Sequence, residues 1–524
     1  MNSKFLKTRK VFGKLRSYQI NVSHILFSVV FTSSLYVICN AINRDKIVKW
    51  FSLGDSIDYY GLIAYYLFGL CIFMAIFILF AHRWTIKPLA IFLILLSAPS
   101  TYFISKYNVA VDTTMAMNVL YTDVSEVRSL LSVYMLPYIF TMIILPIIAV
   151  VNINIKFGRA SRYLSFSVIT SALLLIFGIG LGYINYKSIH RASNISNKYI
   201  IHTLVPINII RSITSVLHQS IKTYSSKYKK EVVISGRVVS QDDLVVVLVV
   251  GESSRQKNFS LYGYDRRNTN PNLLKYNNLH ILNGVANNGS TYLALKEIMQ
   301  KDDIKLPAMT SKLGIETSCY VNYSLYAICD SVGEIEVSDC GHNGKCYDED
   351  VIPLLENNLN TYKSGYRFVI LHLGGGSHGP IYSDRHPPEF QIFKPQCFEA
   401  DVVNKCSLDQ LYNSYDNTVL YVDYVLDEII KKLDRSLLPY VFIYLSDHGE
   451  SLLEEGRIFH GMPPGIPLPP EQAQIPLIVK SSVPISVVDR KEYNQQDVYD
   501  TVLDLFSIET EILDRERVFI KKNK

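Results

Sequence analysis

Leu244–Val250 reads LVVVLVV and runs directly into Gly251-Glu252-Ser253-Ser254-Arg255. Unbroken β-branched and aliphatic residues leave no polar face. The run therefore predicts a strand covered on both sides, as in a largely parallel sheet layered between helices. Ligands of open α/β sheets bind just beyond the carboxyl ends of the strands. Glu252 and the hydroxyls of Ser253 and Ser254 are thus placed for chemistry. The plain structural alternative is a serine that caps the next helix.

Two further strands end the same way. Tyr440–Leu445 (YVFIYL) leads into Ser446-Asp447-His448-Gly449-Glu450, and Asp and neutral His are common zinc ligands. Glu252, a hydroxyl, Asp447 and His448 together make a four-ligand set from two strand ends. Phe368–Leu373 leads into Gly374-Gly375-Gly376-Ser377-His378-Gly379-Pro380, and His460 follows in Phe459-His460-Gly461-Met462-Pro463. Both histidines sit in Gly/Pro-rich loops near strand ends, where functional side chains concentrate. Each could equally be a surface histidine. His378 is suited to bind phosphate or a second metal, or to protonate a leaving group.

The N-terminal third is different. Nearly half of the 524 residues are hydrophobic, and they crowd before residue 186. Five apolar stretches run roughly Ile20–Ile42, Leu62–Ala81, Leu89–Ser105, Leu130–Val151 and Leu164–Ile184. A bilayer-spanning helix needs about 20 apolar residues, so five transmembrane helices are predicted. The first is long and lacks a small-residue cleavage pattern, which argues against a signal peptide.

Short-loop charge sets the orientation. Lys4, Lys7, Arg9, Lys10, Lys14 and Arg16 precede the first span; Arg83 and Lys87 follow the second, and Lys156, Arg159 and Arg162 the fourth. These loops are read as cytoplasmic, and everything after Ile184 as exported. The net charge of +5 is small and sits largely near the N-terminus, which argues against a nucleic-acid partner.

Cysteine usage agrees with export. Cys39 and Cys71 lie within spans, and the other six lie in the exported part. An even number at short separations in an oxidising compartment suggests disulfides. Neighbouring pairs, Cys319–Cys329, Cys340–Cys346 and Cys397–Cys406, are the preferred pairing over a structural zinc site, since no Cys-x-x-Cys occurs among them. Three regions result: a transmembrane domain at 1–185, a bridging segment at 186–235 and a catalytic domain at 236–524. In the bridge, Ile207, Ile210, Thr214, Leu217 and Ile221 share a helical face. That helix either lies on the membrane surface or packs on the exported domain.

These features resemble the bacterial phosphoethanolamine transferases, which include lipid A-modifying enzymes linked to polymyxin resistance. The matching stretches are VVGESSRQKNFSLYGYDRRNTNPNL from Val249, LHLGGGSHGPIYSDRHPPEFQIFKPQC from Leu371, NSYDNTVLYVD from Asn413 and YLSDHGESLLEEGRIFHGMP from Tyr444, with VDTTMAMNVLYTDVSEVRSLL from Val111 in the membrane part. The resemblance implies an alkaline phosphatase/sulfatase-type α/β/α sandwich. It implies zinc held by Glu252, Ser253, Asp447 and His448, with Ser253 as nucleophile and Ser254 as the alternative. His378 and His460 correspond to residues that contact phosphoethanolamine or a second zinc, and Asn118 and Glu126 to residues of lipid headgroup binding. The family's usual donor is phosphatidylethanolamine.

Two departures stand out. The lipid A enzymes most often carry threonine where this chain has Ser253. The block after the nucleophile usually contains a cysteine pair, whereas NNGSTYLALKEIMQ from Asn287 contains no cysteine. The expected reaction moves phosphoethanolamine through a covalent seryl intermediate to lipid A, core oligosaccharide or another glycan. The chain is expected to act as a monomer in the inner membrane, with its catalytic domain in the periplasm. Alternatives are a phosphoglycerol transferase of lipoteichoic acid synthase type, a sulfatase-like or phosphatase hydrolase, and a non-catalytic membrane sensor. No Cys/Ser-x-Pro-x-Arg block follows Glu252, which disfavours a sulfatase.

Overall fold

A computed structural model describes residues 21–42, 44–107, 111–113, 115, 135–227, 234–240, 242–322, 328–337, 345–374 and 378–523. The chain forms two compact units that divide near residue 220.

The first unit is helical. α1 (His24–Ala41), α2 (Tyr59–Phe80), α3 (Ile86–Tyr107) and α5 (Ala160–Ile184) are each long and apolar enough to cross a membrane. Ser23 caps α1 by accepting from Leu26 N at 3.2 Å, and Asp58 caps α2 by accepting from Gly61 N at 2.9 Å. α4, the expected fourth span, covers Leu136–Asn152 among the described residues, and its expected start at residues 130–134 lies outside them. Its middle turn, Phe140–Ile144, is a π-turn. Pro146 has no N–H to donate back to Met142, so the ladder loosens there. Much of the surface of α5 is exposed and apolar, with Leu173, Ile176, Phe177 and Ile179 each more than half exposed. A face of that kind belongs against lipid.

The bridging segment contributes α6 (Tyr186–Ile195) and the amphipathic α7 (Ile207–Lys227). The first turns of α7 lie against the helices of this unit: Ile209 clusters with Cys39, Ile104, Val111 and Val205. Asn40 anchors the approach to α7, donating to Val205 O at 2.6 Å and accepting from Val205 N at 3.1 Å.

The second unit is the α/β sandwich. Its strands are β1 (Leu244–Gly251), β2 (His280–Val285), β3 (Glu316–Val321), β4 (Glu334–Glu336), β5 (Tyr366–His372), β6 (Tyr440–Ser446), β7 (Gln474–Ser481) and β8 (Tyr493–Asn494). They form one sheet in the order β4-β3-β5-β1-β6-β7-β2-β8. Only β7 runs antiparallel to its neighbours within it. Every residue of β1, β5 and β6 is buried, as the aliphatic runs require. α8 (Thr291–Met299), α9 (Leu408–Ser436) and α10 (Asp497–Leu505) belong to the same unit. Val246, Leu248 and Val250 of β1 share a core cluster with Leu295 and Ile298 of α8 and Val498 and Val502 of α10. Disulfides join Cys319 to Cys329 and Cys397 to Cys406. Cys340 of the third expected pair lies outside the described residues, as do Asn118 and Glu126.

Candidate active site

Register puts three strand ends side by side. Ser446 pairs with Gly251, and His372 with Val250. Glu252 and Asp447 therefore leave adjacent strands at the same level. β7 enters at this edge because it runs the other way, and Gly449 N donates to Gln472 O at 2.8 Å. A Cβ on Gly449 would stand 2.2 Å from Glu471 O, so only glycine permits that approach.

Asp447 and His448 are fully buried and Glu252 is 3% exposed. Ser253 N donates to Asp447 Oδ1 at 2.9 Å, and Ser253 Oγ donates to Glu252 Oε1 at 2.6 Å. The Ser254 hydroxyl contacts Glu252 O at 3.4 Å, and its amide donates to Ser446 Oγ at 2.8 Å. A residue not singled out from the sequence joins them. Thr291, the first residue of α8, donates its hydroxyl to Glu252 Oε2 at 3.1 Å and stands 3.5 Å from His448 Nε2. Gly289-Ser290-Thr291 ahead of a helical pattern is a helix-start signal, which was the available clue. A hydroxyl at a helix N-terminus sits where the dipole favours negative charge.

The imidazoles share one arrangement. His448 Nδ1 is 3.0 Å from Gly449 O, His460 Nδ1 is 3.0 Å from Gly289 O, and His378 Nδ1 is 2.6 Å from Gly379 O. Carbonyl oxygens only accept, so each Nδ1 carries the hydrogen and each Nε2 presents a lone pair. His448 Nε2 faces Asp447 Oδ2 at 3.2 Å, and His460 Nε2 faces His378 Nε2 at 3.3 Å. Asp447 Oδ2 has no hydrogen-bond donor among the described residues. Burial pushes His448 down to about 4, and burial with the neighbouring His448 pushes His460 down to about 3. Burial, then Arg385 and His460, holds His378 well below its ordinary value. The imidazoles are therefore neutral near pH 7.

Acceptors facing acceptors in a dry site call for a cation. Glu252, His448 and His460 offer ligand atoms within 4.8 Å of one another, a group able to hold a metal ion. Tetrahedral zinc with bonds of about 2.0 Å spaces its ligand atoms about 3.3 Å apart. The contacts among Thr291, Glu252, Asp447 and His448 run from 3.1 to 3.7 Å. The residues present fit such an ion. All seven sequence-derived candidates in the α/β unit, Glu252, Ser253, Ser254, Asp447, His448, His378 and His460, meet at this one edge of the sheet.

Fold and site together define a membrane-anchored domain of sulfatase type. Residues 245–508 match the sulfatase family, and residues 69–221 match the family described as phosphoethanolamine transferase EptA/EptB. Phosphoethanolamine transferase EptA of Escherichia coli (strain K12) is 30% identical over 466 residues, covering 82% of this chain and 84% of that protein. EptA of Helicobacter pylori is 32% identical over 453 residues, covering 81% and 82%. The integral membrane lipooligosaccharide phosphoethanolamine transferase A of Neisseria meningitidis shares the fold, with a TM-score of 0.80 and 24% identity over 95% of this chain and 98% of that one. This chain belongs to the phosphoethanolamine transferase family. Among the activities weighed from sequence, membership selects phosphoethanolamine transfer.

Proposed function

We propose that the chain transfers phosphoethanolamine from phosphatidylethanolamine to a lipopolysaccharide-type acceptor, lipid A or core, through a covalent intermediate on Thr291. The observation that carries the choice of residue is the contact of Thr291 Oγ1 with both Glu252 and His448. Thr291 retains 7% exposure, whereas Ser253 and Ser254 are fully enclosed. A nucleophile must meet its substrate, so Thr291 is preferred to Ser253.

In the first half-reaction Thr291 Oγ1 attacks phosphorus, and the bond from phosphorus to the glycerol oxygen breaks. The hydroxyl proton leaves along its hydrogen bond to Glu252 and returns to the departing diacylglycerol oxygen. In the second, an acceptor hydroxyl oxygen attacks phosphorus, the bond to Thr291 breaks, and the acceptor's proton passes by way of Glu252 to Thr291 Oγ1, which regains its hydroxyl. Glu252, Asp447 and His448 would hold zinc with a threonine or serine hydroxyl, and His460 with His378 would meet the phosphoethanolamine group or a second ion. Zinc bound there supplies positive charge that acidifies a neighbouring hydroxyl and offsets charge on the phosphoryl oxygens. Asn118 and Glu126 are retained as headgroup-binding candidates.

Support for a lipid donor and acceptor comes from the membrane spans, which keep the enzyme with lipids, and from the lipooligosaccharide in the name of the Neisseria relative. Two disulfides in the α/β unit support an oxidising periplasm as its location, with the N-terminus cytoplasmic and the spans in the inner membrane. The enzyme is proposed to work as a monomer. The test compares lipid A and core masses from cells with and without the gene. A phosphoethanolamine increment on lipopolysaccharide that depends on the gene is expected. Identical spectra in cells that express the protein contradict the acceptor assignment.

A further inference from the structure

Helix α9 carries the stretch Asn413-Ser414-Tyr415-Asp416-Asn417 and, two turns on, Asp423. All six are buried and none is used by the chemistry above. Their bonds reach two segments. Asn413 Nδ2 donates to Pro395 O at 3.0 Å, Ser414 Oγ accepts from Cys397 N at 2.8 Å, and Asn417 Oδ1 accepts from Phe393 N at 2.8 Å. On the other flank Asp416 accepts from Asn258 at 2.6 Å and Arg266 at 2.7 Å, and Asp423 accepts from Asn272 N at 2.9 Å and Leu273 N at 3.0 Å. The second flank is the chain that follows β1.

Tyr415 acts closest to the site. Its phenol oxygen donates to Ser253 O at 2.9 Å and accepts from Arg255 N at 2.9 Å. The first of these groups is the carbonyl of Ser253 itself, a residue with φ of 56°, in the left-handed region that a non-glycine residue enters at a cost, and the second is the amide just beyond Ser254. Surrounding structure must hold such a residue there. That same turn aims the ligand cluster, since Ser253 N meets Asp447 Oδ1 and Ser253 Oγ meets Glu252 Oε1. The Tyr415 ring also lies 5.3 Å from the Arg255 guanidinium, whose Nη1 reaches Glu450 O at 3.2 Å and Glu454 Oε1 at 2.7 Å. Tyr415 is thus linked to the loops that follow both β1 and β6.

We infer that Tyr415 is a positioning residue whose hydroxyl fixes the left-handed turn at Ser253 and, through it, the Glu252–Asp447 carboxylate pair. The inference rests on reading that pair with His448 as the metal centre of the transferase.

Tyr415→Phe in the full chain removes one oxygen and keeps the ring. Three quantities are read: zinc affinity by competition with a chelator, the rate of phosphoethanolamine transfer to the protein, and the KM for phosphatidylethanolamine. Loss of an outer-sphere positioning bond is expected to weaken zinc about 10- to 100-fold and slow adduct formation about tenfold or more, with KM changed less than about threefold. Ser253→Gly supplies the second arm, because glycine adopts a positive φ without a clamp. Adding Tyr415→Phe to Ser253→Gly should then cost far less zinc affinity than adding it to the natural chain. Natural zinc affinity in Tyr415→Phe, or equal losses in both backgrounds, overturns the inference. If Tyr415→Phe alone does not fold, recovery of folding in the Ser253→Gly background supports it and continued misfolding there overturns it. A natural chain that binds no zinc and forms no adduct overturns the functional reading instead.

Discussion

Thr291 Oγ1 stands 3.1 Å from Glu252 Oε2, although 39 positions separate the two residues in the chain. Strand β2 and the turn after it return the chain to the edge that β1 has just left. If Thr291 is the attacking group, Thr291→Val, which keeps the shape and loses the hydroxyl, is expected to lower transfer about 10³-fold or more. Thr291→Ser keeps the hydroxyl and should retain activity to within about tenfold. Ser253→Ala removes a bond to Glu252 and should fall between them. Steady-state transfer to a lipopolysaccharide acceptor makes the comparison. A Thr291→Val enzyme as active as the natural chain contradicts the assignment.

Metal removal gives the second prediction. Asp447 Oδ2 and His448 Nε2 face each other at 3.2 Å inside a buried site, and no hydrogen lies between them in the tautomer fixed by Gly449 O. Chelation of the protein should lower its thermal midpoint and abolish transfer, with zinc restoring both. Glu252→Gln and Asp447→Asn should purify with less zinc by elemental analysis. Full transfer by metal-free protein contradicts this part of the account.

Legibility in the sequence varied with the physics. β1, β5 and β6 were readable because strands buried on both faces need unbroken aliphatic runs, and residues at their ends could be placed from the strand rule alone. Four of the five apolar stretches were readable because a membrane-crossing helix needs a long apolar run, and the fourth stretch appears among the described residues as the shorter apolar helix α4. The antiparallel entry of β7 was not readable, since pairing direction leaves no mark on composition. Thr291 was missed because a hydroxyl ahead of a helix also reads as a cap. Nothing local records that β2 delivers it to Glu252.

Asp423 supplies a pH prediction away from the metal cluster. Burial pushes this carboxyl up to about 7 from an ordinary 3.8, against the two backbone amides that favour its charge. An acid raised on folding keeps its proton longer in the native state. Its stability contribution is therefore greatest at low pH and is lost as pH rises from about 4 through 7. Asp423→Asn cannot ionise, so its stability relative to the natural chain should improve between pH 5 and pH 8. Thermal midpoints by circular dichroism at both pH values test this. A relative stability independent of pH contradicts it.

The Cys397–Cys406 bond closes a short loop next to Ser414 of α9. Replacing both cysteines by serine should destabilise the α/β unit by about 2–3 kcal/mol on loop entropy. Guanidinium unfolding measures the change. A midpoint equal to that of the natural chain shows that the bond adds no stability.

The most direct test of the central claim is to find where phosphoethanolamine resides on the protein. The full chain is incubated with phosphatidylethanolamine without acceptor, quenched, digested and sequenced by tandem mass spectrometry. The phosphoethanolamine increment is expected on Thr291, absent from Thr291→Val and discharged when lipopolysaccharide is added. An increment on Ser253 or Ser254, or active enzyme carrying none on any hydroxyl, would contradict it.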